Sequence, residues 1–229
     1  SYQVVDFFPA SLNDVPTFMT ASPDGRAVFL LDGRNGSLSR MDLFTGQRVA
    51  SVQLDFQPKY LLYMQDQNKL AVSLSLSQEI VFLDPVTLRK AGTIPVGSSP
   101  EGISVLANRL YVAEFADNSV SVVDLADGGS QSRFSVGFGP RRLLATDTHI
   151  YVSNYLDGSL SVLSPDQLGV IQQVSGLGRP LEMAFNQFYR RLFIADEQMA
   201  ALGVLDANTN QFLGHVFLGA KPYGLAVIQ

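Results

Sequence analysis

The chain has 229 residues, a formal net charge of −5 at pH 7, 46% hydrophobic residues and no cysteine. This apolar content is enough for a sizeable globular core, while the acidic balance gives no broad attraction for duplex nucleic acid or an anionic membrane. Without cysteine there are no disulfides, thiolate metal ligands or thiol nucleophiles, and two histidines offer little for haem ligation or Ser-His chemistry. We therefore expect a chain that carries no haem. No apolar run approaches the roughly 18 residues of a membrane span, and no charged and then apolar signal segment begins the sequence.

The first predicted element is YQVVDFF at 2–8, which reads as an outermost strand. After it, prolines recur at intervals of 42, 42, 40, 40 and 42 residues, and a second series of residues that close hydrophobic runs keeps the same intervals. We predict one domain over 1–229 with repeats at approximately 16–57, 58–99, 100–139, 140–179 and 180–221. The prolines are Pro16, Pro58, Pro100, Pro140, Pro180 and Pro222, and the second series is Asp42, Asp84, Asp124, Ser164 and Asp206.

Each repeat contains four short runs rich in Val, Ile, Leu, Phe and Tyr, separated by polar turns such as DGRNGS, ADNS and LDGS. Four antiparallel strands in 40 to 42 residues predict the blade of a β-propeller, because a helical solenoid would show a 3.6-residue period. The fifth repeat, LFIADEQMAALGVLD, lacks Gly or Asn in its turn, so we expect a longer or bulged hairpin there.

The last element, YGLAVIQ at 223–229, reads as a further innermost strand. We expect it to join strand 2–8 in one closing blade, because closure by both termini removes exposed sheet edges. The two middle strands of that blade have no counterpart in the sequence. The simplest arrangement is therefore a six-bladed propeller with an incomplete blade, and the alternatives are five blades or a fragment of a seven-bladed ring.

Two stretches, LYVAEFADNSVSVVD and IYVSNYLDGSLSVLS, resemble the YVTN repeats of bacterial and archaeal β-propellers. The similarity spans nearly the whole chain and is weakest in the second repeat, where Leu74 replaces the usual Asn. The resemblance implies an exported protein, periplasmic, extracellular or on the cell surface. It also implies a non-enzymatic binding scaffold that presents its axial face to a protein partner or a small ligand.

Polar side chains recur at two places that a propeller brings to its axial face: the end of the second strand and the residues after each proline. We predict this face to be a solvent-accessible funnel of mixed charge, lined by Asp32, Lys59, Glu101, Glu114, Arg141, Arg142, Asn154 and Asp196. If a hard cation such as calcium binds, its candidate ligands are Asp32, Glu114, Asn154 and Asp196. The competing interpretation is structural, because Asp and Asn at strand ends often bond to their own turns.

Two further functions remain open at this stage: a metal-dependent hydrolase of the propeller lactonase type, and a docking subunit of a redox complex. The aspartates of the second series each precede a turn, so we predict that they cap it by Asx-type hydrogen bonds. His149 and His215 fall outside the predicted funnel, and we predict no role for them at the site.

Overall fold

The computed structural model describes residues 16–54, 57–126, 129, 131–166 and 169–227. It divides the chain into two compact units, 1–95 and 96–229, which we call the first and second unit. Every regular element in the described ranges is a β-strand. A membrane-crossing helix is absent from this part of the chain.

The first unit contains two four-stranded antiparallel sheets whose strands follow one another in chain order. Strand β1 of the first sheet contacts strand β5 of the second sheet. The strands are β1 (Phe18–Ala21), β2 (Ala27–Asp32), β3 (Ser37–Asp42), β4 (Arg48–Gln53), β5 (Pro58–Met64), β6 (Lys69–Leu74), β7 (Glu79–Leu83) and β8 (Lys90–Pro95).

The second unit contains three sheets of the same kind, and its first strands contact one another in succession, β9 with β13 and β13 with β17. The strands are β9 (Pro100–Leu106), β10 (Arg109–Glu114), β11 (Ser119–Asp124), β12 (Gln131–Ser135), β13 (Pro140–Ala145), β14 (Ile150–Asn154), β15 (Ser159–Ser164), β16 (Gly169–Val174), β17 (Pro180–Asn186), β18 (Arg191–Asp196), β19 (Ala201–Asp206) and β20 (Gln211–Phe217). The predicted four antiparallel strands per repeat are therefore confirmed.

Apolar side chains of the second and third strands are buried between neighbouring sheets of each unit. In the first unit Leu31, Leu38 and Leu70 are fully buried, and in the second unit Val152 and Leu160 are fully buried. Burial of one such side chain contributes roughly 1.5–3 kcal/mol, so the facing second and third strands form the core. The fourth strands are largely exposed.

The turn between the second and third strands has one length in all five repeats. The expected longer or bulged hairpin of the fifth repeat is wrong, because Asp196 pairs with Ala201 just as Asn154 pairs with Ser159. The turn keeps its shape because Ala200 adopts a positive φ of 50°, where the fourth repeat has Gly158 with a φ of 66°. A non-glycine residue tolerates this conformation when the surrounding strands fix it.

The predicted strand at 223–229 is not present in the described residues 223–227, which form no regular element. A strand needs a ladder partner, and its predicted partner at 2–8 lies outside the described residues. The number of blades therefore stays a prediction, as does the single domain over 1–229.

The Asx-type caps predicted for the second series are confirmed. Asp84 Oδ1 accepts hydrogen bonds from the backbone N–H groups of Val86 and Thr87 at 3.1 and 2.7 Å, and from the Thr87 hydroxyl at 2.8 Å. These bonds, led by the Thr87 N–H, hold the pKa of the Asp84 carboxyl below its usual value. Asp42, Asp124 and Asp206 accept equivalent bonds in their own repeats.

We predict that Asp84→Ala lowers the free energy of unfolding by about 1 kcal/mol, the size of a local side-chain cap. Asp84→Asn keeps an acceptor oxygen and should lose less than half as much. Urea melts of both variants measure this, with Asp66→Ala as the control because Asp66 is exposed and bonds to none of the described residues. Equal losses in the Asp84 and Asp66 alanine variants would contradict the cap.

Candidate functional site

The predicted site residues fall into two groups that differ in burial. Asp32, Glu114, Asn154 and Asp196 end the second strand of their sheets and are at most 3% exposed. The expectation that these four line a solvent-accessible funnel is therefore wrong. Their side chains turn inward, because they bind nearby backbone and hydroxyl groups.

Glu114 is the most heavily bonded of the four. Its Oε1 accepts the N–H of Gly97 at 2.5 Å, and the hydroxyls of Ser119 and Ser121 also donate to the carboxylate. The Nε of Arg133 on β12 lies 2.9 Å from Oε2. A side chain at Gly97 would place its Cβ 2.5 Å from the Glu114 carboxyl carbon, so glycine is required for this contact.

Asp196 has the same role in the last sheet. Its oxygens accept the N–H groups of Gly178, Arg179 and Met199 at 2.7, 3.0 and 3.1 Å. His215 Nε2 on β20 lies 3.2 Å from Oδ2, so the prediction that His215 has no role at these residues is wrong. Burial favours protonation of the carboxyl, but the three N–H groups and His215 together outweigh it and lower the Asp196 pKa.

The other two strand-end residues also bond within their own sheets. Asp32 Oδ1 accepts the N–H groups of Arg34 and Asn35 at 2.9 and 3.0 Å, which caps its turn. Asn154 Nδ2 donates to the hydroxyls of Ser159 and Ser161, each at 2.9 Å. The structural interpretation of these residues therefore accounts for their contacts.

These contacts do not fit a cation site. Calcium binds through oxygen lone pairs, and here those of Glu114 and Asp196 are occupied by N–H and O–H donors. Among the described residues there is also no group of three or more His, Cys, Asp or Glu side chains placed to hold a metal ion.

In each sheet of the second unit, a residue of the fourth strand lies beside the side chain that ends the second strand. This residue is basic where the strand-end side chain is acidic, and neutral where it is neutral. The acids Glu114 and Asp196 meet Arg133 and His215. In the sheet between them, Gln173 donates to Ser159, which holds the neutral Asn154. The register between the third and fourth strands positions these residues in the same way in each sheet. Their partners on the third strand, at positions 121, 161 and 203, are equivalent, and they lie opposite Arg133, Gln173 and His215.

The second group lies at the starts of the first strands of the second unit, where the structure brings Glu101, Arg141 and Arg142 together. Arg142 Nη1 lies 3.1 Å from Glu101 Oε2, and its Nε lies 2.5 Å from Glu182 Oε1. Arg141 Nε lies 3.6 Å from the same Glu101 oxygen. Glu182 was not predicted from the sequence, because only the packing of β13 against β17 brings it to Arg142, which is 40 positions away.

Next to these ion pairs, two guanidinium groups lie over one aromatic ring. The Cζ atoms of Arg141 and Arg179 are 4.6 and 5.5 Å from the centre of the Tyr155 ring. The Tyr155 hydroxyl donates to Glu197 Oε2 at 2.8 Å, and Lys221 Nζ lies 3.6 Å from the other oxygen of Glu197. The ring is therefore held at its edge and covered by cations.

Exposed apolar side chains lie next to Tyr155 in sequence and on the segment that pairs with it. Phe138 and Leu156 are 62% and 60% exposed, and their segments are joined by a backbone bond from Leu156 N–H to Phe138 C=O at 3.1 Å. The Tyr155 N–H donates to the Gly139 carbonyl at 2.9 Å in the same pairing. We call Phe138, Arg141, Tyr155, Leu156 and Arg179 the Tyr155 surface.

Lys59 and Asp32 belong to the first unit. Lys59 is the second residue of β5 and is half-buried, and Asp32 ends β2. They are described within that unit alone, so the structure does not test their predicted place in a common site with residues of the second unit.

No family model and no curated protein matches the chain. Several solved structures are similar to the chain. The chain is similar to the structure titled Kuenenia stuttgartiensis hydrazine synthase, with a TM-score of 0.69 and 16% identity over 99% of this chain and 93% of that one. It is similar to a streptogramin B lyase, with a TM-score of 0.79 and 15% identity over 92% and 72%. It is also similar to the RRP9 WD40 repeats, with a TM-score of 0.79 and 13% identity over 91% and 65%.

These similarities and the five four-stranded sheets show that the chain has the β-propeller fold. At such low identity they show the fold alone.

We predict that Asp196→Asn lowers stability at pH 7 and that this deficit shrinks as the pH falls below about 3.8, the usual Asp value. A carboxyl with a lowered folded-state pKa stabilises the protein above its unfolded-state pKa. That contribution is lost as the pH falls through the folded-state pKa. Urea melts between about pH 2.5 and 7 measure the deficit, with Asp66→Asn as the control. A deficit that stays constant over this range would contradict the assignment.

Proposed function

We propose that the protein is a non-enzymatic binding scaffold and that the Tyr155 surface receives a protein partner. The observation that carries this proposal is the cation-covered Tyr155 ring, together with the exposed Phe138 and Leu156 on the two paired segments. Tyrosine, arginine and phenylalanine are the residue types enriched where protein interfaces gain most of their affinity.

The charges around this surface indicate what the partner presents. Arg141 and Arg179 are partly exposed and offer N–H donors to a carboxylate, and Phe138 and Leu156 offer an apolar contact. Such a surface matches a segment that carries an acidic side chain next to an apolar one. Because Glu101 and Glu197 already neutralise part of the positive charge, a polyanion such as duplex nucleic acid is disfavoured.

The contacts of the strand-end residues disfavour the alternative of a metal-dependent hydrolase. Glu114 and Asp196 would have to give up bonds to Gly97 and Gly178 before they could bind an ion. A docking subunit of a redox complex is one form of the proposed scaffold, and no separate contact favours it. The resemblance to YVTN repeats supports an exported, periplasmic or cell-surface location, which we include in the proposal.

We predict that the double variant Phe138→Ser with Tyr155→Ala loses its partner while it keeps its fold. The test is affinity purification from the source cells under crosslinking, with each captured protein then produced pure and its dissociation constant measured. Loss of two such anchors should weaken binding at least about a hundredfold. The matched control is Phe188→Ser, because Phe188 is 85% exposed in the turn after β17.

A partner that binds the parent and the double variant equally, or that is lost in the Phe188 control, would contradict the Tyr155 surface. Circular dichroism and urea melts of each variant separate loss of binding from loss of fold.

A further inference from the structure

A groove of about 330 Å³ lies in the first unit between the turn after β1, strand β3 and the second sheet. It is separate from the Tyr155 surface, which lies in the second unit. Its volume is at the lower end of the range typical for small-molecule sites, so it suits a ligand with a single ring. It is lined by Ser22, Pro23, Asp24, Ala27, Phe29, Arg40, Tyr63, Asn68, Pro85 and Val86.

The lining of the groove is largely apolar and aromatic. Phe29 is 1% exposed, and the Tyr63 ring lies 5.8 Å from it, tilted by 46°. The Tyr63 hydroxyl donates to Asn68 Oδ1 at 2.6 Å, which fixes the ring in place. Pro23 and Pro85 are stiff, so the groove keeps its shape without a ligand.

One lining residue breaks the pattern of the repeats. Arg40 on β3 lies directly opposite Phe29 on β2. The same position on the third strand of the other four repeats is apolar, and these residues are Phe82, Val122, Val162 and Val204. A cation therefore stands where the fold elsewhere uses an apolar side chain.

The guanidinium of Arg40 makes no hydrogen bond and no ion pair within 4 Å with any residue that the structure describes, although its charge helps to lower the pKa of Asp42, two positions further along the chain. Two other partly buried arginines are paired: Arg190 lies 2.7 Å from Asp147, and Arg191 lies 2.7 Å from Asp206. A half-buried, unpaired guanidinium against an aromatic floor favours a bound anion, because its N–H donors match both oxygens of a carboxylate.

The carboxylates of Asp24, Asp42 and Asp84 all lie close enough to act on Tyr63 or Arg40, and they limit that anion to one negative charge. Asp24 is at the rim of the groove, and its carboxylate is occupied by the Ser22 hydroxyl at 2.6 Å and the Arg26 N–H at 3.1 Å. Asp42 and Asp84 are likewise engaged by the N–H groups of their own turns, and all three carboxylates repel a second negative charge. A phosphate dianion is therefore disfavoured relative to a carboxylate.

We propose that this groove binds a small aromatic carboxylate, whose ring lies against Phe29 and Tyr63 and whose carboxylate pairs with Arg40. The proposal concerns a ligand site of the first unit and is independent of the partner proposed for the Tyr155 surface.

The test is NMR titration of the full chain with four probes: benzoate, phenylacetate, benzamide and inorganic phosphate. We expect at least one of the two carboxylates to bind saturably and to shift the amide signals of Tyr63, Asn68 and Val86. Benzamide, which has the ring without the charge, should bind at least about tenfold more weakly, the size of one charge-assisted hydrogen bond. Phosphate should leave these signals in place.

Two variants of Arg40 make the test specific. Arg40→Val introduces the residue that three other repeats carry, so it should fold, and Arg40→Gln keeps a polar side chain without the charge. Each should weaken carboxylate binding at least about tenfold. The control Arg26→Gln removes an exposed arginine near the rim, with a 72% exposed side chain, and should leave binding unchanged.

Any one of four results would overturn the proposal. The first is the absence of a saturable shift with either carboxylate up to about 10 mM, where even a weak single-ring ligand would bind. The second is benzamide binding as tightly as the carboxylates, and the third is unchanged carboxylate binding in both Arg40 variants. Loss of binding in Arg26→Gln alone would likewise overturn it, because the anion would then pair at the rim.

Discussion

Two sheets of the second unit depend on a buried bond between the end of the second strand and the loop that enters the same sheet. In the second unit Glu114 holds the Gly97 N–H and Asp196 holds the Gly178 N–H. A carboxylate without partners at these depths would cost several kcal/mol, so each acid and its loop are stable only together. Within the second unit, the Asp196 bond fixes the loop that leads from β16 of one repeat to β17 of the next, which the hairpins inside a sheet cannot do.

The same bonds position the Tyr155 surface. Arg179 follows Gly178 directly, and Asp196 binds the N–H groups of both residues. These bonds fix the backbone from which the Arg179 side chain extends. On the other side, the backbone bond from Tyr155 to Gly139 pairs the segment of Tyr155 with the segment that carries Phe138. Buried polar groups thus support an exposed surface that can vary without change to the sheets.

The sequence predicted the sheets well, because the proline and aspartate periods and the turn residues are local signals. It also identified the strand-end residues, but not their burial. The local sequence around a strand-end carboxylate is the same whether the carboxylate faces solvent or a glycine N–H. The residues that bury it are distant in sequence: Gly97 is 17 positions from Glu114, and His215 is 19 positions from Asp196. The unpaired Arg40 was missed because only the strand register shows that its equivalents are apolar.

Amide hydrogen exchange at Gly97 and Gly178 tests the central claim most directly. If the strand-end carboxylates hold the entering loops, both amides exchange slowly in the parent although they lie in loops. In Asp196→Ala the Gly178 amide should then exchange at least about tenfold faster, while the Gly97 amide, held by Glu114, keeps its parental rate. Exchange of Gly178 in the parent as fast as that of an exposed loop amide would contradict the account, because the buried bond would then not hold the loop.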